Sequence, residues 1–125
     1  MALTVDWKEA SVSPSGDDLL VGVTFGPVPK DAEYMLLSQT LGQLSNRSGP
    51  IKKIELSGNG IRLQITANAD VEGVQRSIIA KLDEFMALSE RRRRDAETQE
   101  AQAQREREQA DALAADIQAR FRALS

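Results

Sequence analysis

A chain of 125 residues, 41% hydrophobic and with a net charge of −3, has the size of one small domain plus an extension and lacks the basic balance of a DNA-coating protein. It contains no Cys and no His, which excludes disulfides and thiolate metal sites and removes the commonest general base. Its longest apolar stretch, Leu19 to Val23 counting Gly22, is far too short to cross a membrane, so no membrane insertion is expected.

The first segment alternates. Leu3, Val5 and Trp7 fall on one face and Thr4, Asp6 and Lys8 on the other, the period of a half-buried strand. Residues 13–18, Ser-Pro-Ser-Gly-Asp-Asp, predict a turn. Leu19, Val21, Val23 and Phe25 alternate again and complete a hairpin, which Gly26-Pro27-Val28-Pro29 terminates. Asp31 suits a helix N-cap, because its carboxylate can accept first-turn amide hydrogens. Tyr34, Leu37, Leu41 and Leu44 then form a helical stripe. That helix is expected to run to about Asn46, with Gly49 as a left-handed cap and Pro50 unable to continue it.

Ile54 and Leu56 alternate with Lys53, Glu55 and Ser57, and Ile61, Leu63 and Ile65 with Arg62, Gln64 and Thr66. Ser57-Gly58-Asn59-Gly60 between them is the turn of a second hairpin. Asn68 or Asp70 caps a final helix whose buried face is Val71, Val74, Ile78, Leu82 and Phe85, widened by Ile79 and Met86. The expected fold is α+β: a ββαββα two-layer sandwich, a four-stranded antiparallel sheet with two helices on one face. The other face is polar, carrying Asp6, Lys8, Thr24, Arg62, Gln64 and Thr66.

From Val74 onward the chain has no Gly and no Pro, so the last helix is expected to extend into a long C-terminal, coiled-coil-like helix. This divides the chain into an α+β domain, residues 1–88, and a charged, Ala-rich extension, residues 89–125. From Ser89 to Gln109 only Ala96, Ala101 and Ala103 are apolar. Glu90/Arg94 and Asp116/Arg120 have the favourable order for ion pairs four residues apart; Arg93/Glu97 and Arg107/Asp111 have the weaker reverse order. Each pair contributes only about 0.2–0.5 kcal/mol. A flexible joint between Arg91 and Gln109 is therefore the competing picture. Residues 110–124 regain an amphipathic stripe: Ala110, Leu113, Ala114, Ile117, Phe121 and Leu124. One heptad seam, Leu82, Ser89, Ala96, Ala103, Ala110, Ile117 and Leu124, is small or apolar throughout; its companion through Arg92, Gln99 and Glu106 is polar in the middle.

Arg91-Arg92-Arg93-Arg94 is the sharpest local motif and the candidate anion contact. Glu90, Asp95 and Glu97 flank it, and consecutive helical residues point in different directions, which reads more simply as a solvated helix face. Ser57-Gly58-Asn59-Gly60 lacks the following Lys-Ser/Thr of a phosphate-binding loop. Asp17-Asp18 reads as turn chemistry, and Lys52-Lys53 as protection of a strand edge. No catalytic constellation, cofactor site or metal site stands out, and a non-enzyme is expected. The expected function is structural: an assembly protein that oligomerises or docks a protein partner through its C-terminal helix, with Leu113, Ile117, Phe121 and Leu124 as the interface. It would be a subunit of a larger complex, cytoplasmic or part of a virus particle. Met1-Ala2-Leu3-Thr4 lacks the basic and apolar regions of a signal peptide. The alternative is a nucleic-acid-binding or regulatory protein acting through Arg91 to Arg94.

Overall fold

The computed structural model describes residues 3–124; Met1 and Ala2, part of the stretch read for a signal peptide, lie outside the described residues. The elements are β1 (Thr4–Ser15), β2 (Asp18–Gly26), α1 (Asp31–Gly42), β3 (Ile51–Ser57), β4 (Gly60–Thr66) and α2 (Val71–Ala123). The four strands form one sheet in the order β1-β2-β4-β3, with every neighbouring pair antiparallel. Each hairpin supplies one central strand and one edge strand. Alternation then puts Val23, Phe25, Ile61, Leu63 and Ile65 on a single face, where Leu37 and Leu41 of α1 and Val74, Ile78, Leu82 and Phe85 of α2 close one hydrophobic core. The α+β sandwich expected from the periodicity is the fold observed.

Local differences from expectation have local causes. The first turn is shorter than residues 13–18. β1 continues through Pro14, and only Gly16 and Asp17 lie between the paired Ser15 and Asp18, with Gly16 at φ +61°. Pro14 is tolerated because β1 is an edge strand. After a two-residue turn the bonded pair is Ser15–Asp18, so the next pair, Pro14–Leu19, directs its backbone groups away from β2. A proline there costs no ladder bond and leaves the outer edge without one donor.

β1 also bulges: Asp6 pairs with Thr24 and Ser11 with Gly22, five steps on β1 against two on β2. The odd excess flips the alternation, so Asp6 and Ser11 both face the open side. Lys8, expected on the regular open face, falls inside this bulge. A single-residue bulge between Ile51 and Lys53 acts likewise in β3, letting Ile51 and Ile54 both enter the core.

α1 ends at Gly42, about one turn before the expected Asn46. Asn46 instead organises a separate turn. Its amide donates to the Ile51 carbonyl at 2.9 Å, and its Oδ1 accepts from the Ser48 amide and hydroxyl at 3.1 and 2.9 Å. Gly49 therefore caps nothing, and it is not among the glycines with positive φ. Asp31 is not the N-cap either. That place belongs to Lys30, without a side-chain cap bond, and Asp31 takes φ +51° as the first helical residue. Asp70 does stand before α2, its carbonyl accepting the Val74 amide at 2.9 Å. Val71 and Ile79, expected on the buried face, are exposed, so the core stripe of α2 is narrower than its sequence suggests.

α2 is unbroken from Val71 to Ala123, so the joint between Arg91 and Gln109 is absent. The chain divides into two compact units, Met1–Ser89 and Glu90–Ser125. In the first, Ser89 Oγ donates to Glu33 Oε1 at 2.9 Å.

Across the open face, Asp18 accepts from Lys52 Nζ at 2.9–3.0 Å and from Gln64 Nε2 at 2.9 Å. It ties β2, β4 and β3 together. Of the two lysines read as edge protection, Lys53 is exposed but Lys52 is committed to this contact. The Lys52 bond, then the Gln64 bond, hold the Asp18 pKa below its ordinary value of 3.8, against the opposing effect of burial. A lowered native pKa means that the unfolded chain binds more protons in acid. The contribution of Asp18 is thus complete above pH 3.8 and is lost as pH falls through the lowered native value. In urea titrations across the acid range, Asp18→Asn should flatten the acid limb of the stability curve. An unchanged limb would mean that the contact does not persist in solution.

Candidate interaction surface

The second unit, Glu90–Ser125, is helical through Ala123, and none of its described residues belongs to the hydrophobic core. At 3.6 residues per turn, Leu113, Ile117, Phe121 and Leu124 fall within an arc of about 80°. Their exposures are 60%, 44%, 70% and 85%. Four large apolar side chains on one face of a solvated helix are costly in water and have the spacing of a helix that docks on a partner. Ala110 and Ala114 extend the face toward the N-terminus.

The helix is held between its ends by a few local contacts. Arg94 Nη2 bonds Glu90 Oε1 at 2.8 Å, and Arg120 Nη2 bonds Asp116 Oδ2 at 3.2 Å. These are the two pairs with favourable order. The reverse-order pairs Arg93/Glu97 and Arg107/Asp111 are not among the ion pairs formed, as expected when the side chains lean toward the helix N-terminus. Thr98 donates to the Arg94 carbonyl at 2.9 Å.

Arg91, Arg92, Arg93 and Arg94 are all exposed, and successive guanidinium groups point about 100° apart around the axis. Only Arg94 is ion-paired. The four do not form a flat basic patch, because the helix disperses them.

Other candidates resolve into structural roles. In the second hairpin turn, Gly58 takes φ +57°, its carbonyl accepts the Tyr34 hydroxyl at 3.1 Å, and the Asn59 carbonyl accepts the Phe25 amide at 2.8 Å. A turn whose carbonyls are engaged this way joins α1 and β2 to the hairpin and is not a phosphate cradle. Asp17 lies in the first turn while Asp18 pairs with Lys52, so the adjacent carboxylates serve different ends. The Asp18 cluster escaped the sequence reading because its members are 34 and 46 residues apart. Only the strand order brings them together.

The open sheet face has a shallow depression of about 330 Å³ near Gly22, bordered by Ser11, Leu20, Arg62 and Glu55. A Cβ on Gly22 would lie 2.9 Å from Ser11 Oγ, so glycine is what leaves room there for the Ser11 side chain. Among the described residues no group of three metal-ligating side chains is assembled, and no helix is long and apolar enough to cross a membrane. The chain matches no family model, no curated protein and no solved structure.

Proposed function

We propose that this protein is a non-enzymatic assembly subunit that joins a larger cellular or virion complex through the face of its C-terminal helix. The observation that carries this reading is the run Leu113, Ile117, Phe121 and Leu124, exposed together on one side of a helical unit none of whose described residues belongs to the hydrophobic core. Burying four such side chains stabilises a complex by several kcal/mol in gross terms, on the order of 1.5–3 kcal/mol for each full burial. Charge pairing along the helix contributes far less.

The test is the light-scattering mass of the full chain and of residues 1–89. The shorter chain keeps the whole core and the Ser89–Glu33 bond. We expect it to be a folded monomer and the full chain to be larger than a monomer. Equal oligomeric states for both would remove the helix face from the assembly.

A further inference from the structure

We infer that the depression on the open sheet face is a binding site for a small organic monocarboxylate, with Arg62 as the residue that grips the carboxylate. The site lies wholly within the first unit, so the inference is independent of the C-terminal helix face.

The strand register builds it. Ser11, Gly22, Arg62 and Glu55 stand in one row across β1, β2, β4 and β3, and Ser13, Leu20, Gln64 and Lys53 form the next. Neighbouring strands lie about 4.8 Å apart, so β1 and β4 are separated by about 10 Å. In the first row Gly22 puts no side chain between Ser11 and Arg62. That gap is the floor of the depression of about 330 Å³. A glycine inside a central strand weakens it, and such a position often marks the close approach of another group. The β1 bulge completes the arrangement. By flipping the alternation it turns Ser11 to the open side, beside Gly22.

Donors line the gap from both sides. Arg62 is exposed, and among the described residues it makes no hydrogen bond or ion pair. Its cross-strand neighbour Glu55 is instead 3.9 Å from Lys53. Ser11 Oγ reaches the Gly22 carbonyl only at 3.5 Å, so its proton is free to turn to a better acceptor. Asp18, the carboxylate on the same face of β2, is already held by Lys52 and Gln64. A guanidinium facing a hydroxyl across a cleared floor offers the planar fork that a carboxylate accepts.

Charge and surface select the class. The charged side chains bordering the depression are Lys53, Arg62 and Glu55, two positive and one negative. A monoanion balances that sum, whereas a phosphate dianion would leave excess negative charge beside Glu55. Leu20, at the same floor, is 44% exposed and gives a short alkyl chain an apolar surface to cover.

Butyrate is the probe and inorganic phosphate the comparison. Each is titrated into the isotope-labelled full chain and followed by nuclear magnetic resonance of the amides and the Arg side chains. We expect saturable butyrate shifts centred on Ser11, Gly22 and Arg62, and weaker binding of phosphate. Arg62→Gln should weaken butyrate binding about tenfold, the loss of one charge-assisted bond. Glu55→Gln should tighten it by removing the opposing charge. Both positions are exposed, so both variants should fold, and their amide spectra verify it. Shifts that never saturate, that centre on Arg91 to Arg94, or that persist unchanged in Arg62→Gln would overturn the site. Looser binding in Glu55→Gln would overturn it independently. Tighter binding of phosphate than of butyrate would overturn the monocarboxylate assignment.

Discussion

Ile78→Ala should lower the unfolding free energy by about 3 kcal/mol, within the range for deleting buried methylenes and leaving a cavity. Ile78 is 0% exposed and lies in the same core as Leu37, Leu41 and Ile61, which are likewise fully enclosed. The surrounding residues come from α1, the sheet and α2 itself, so no single side chain can move in to fill the space. A domain of this size has only about 5–15 kcal/mol of stability to lose, so the variant should remain folded with a markedly lower urea midpoint. A loss below about 1 kcal/mol would show that the core relaxes around the missing atoms or that α2 is not clamped there.

Phe121→Asp should do the opposite on the same helix. Phe121 is 70% exposed, so its replacement removes no packing from the chain that carries it. The urea midpoint of the domain should change by no more than about 0.5 kcal/mol in stability terms. Self-association should weaken by ~30-fold, the equivalent of losing one buried aromatic anchor from an interface. Leu113→Asp should act in the same direction, because Leu113 is exposed on the same face of the helix. Concentration-dependent light scattering measures the association, and circular dichroism confirms that the helix survives. If neither variant changes the mass, the terminal face takes no part in assembly.

The contrast between these two variants reflects a change along one helix. From Val74 to Phe85, α2 contributes a face to a closed core. Beyond Ser89 the same backbone carries side chains that are almost all exposed. The backbone bonds of a helix are made within the helix, so it can continue where packing stops. With no Gly or Pro after Val74, nothing in the sequence ends it. Helix formers and a few favourably ordered ion pairs suffice, and the joint allowed for near residues 91–109 does not appear.

Elements with a strong period were legible from residues alone. The alternations at Leu19–Phe25 and Ile61–Ile65, the stripe through Leu37 and Leu41, and the stripe through Val74, Ile78, Leu82 and Phe85 each became the expected element with the expected face inward. The terminal stripe was equally plain, because four large apolar residues at helical spacing need no tertiary information to be recognised. Element ends were less legible. The Asp31 cap was assigned from one favourable residue, the helix end near Asn46 from Gly49 and Pro50, and the turn at residues 13–18 from a short run of turn-forming residues. In the folded chain Lys30 takes the cap position, Asn46 organises a separate turn, and the hairpin turn narrows to Gly16 and Asp17.

Periodicity and the missing Gly and Pro by themselves determined the element order, the buried faces and the length of α2, because these follow from backbone geometry and side-chain spacing. Strand order, the two bulges and the Asp18–Lys52–Gln64 contact were decided only in three dimensions. The physical reason is that a strand presents the same alternation to either neighbour. Which hairpin strands meet in the centre depends on how both hairpins cover one pair of helices, and no local run of residues encodes that choice.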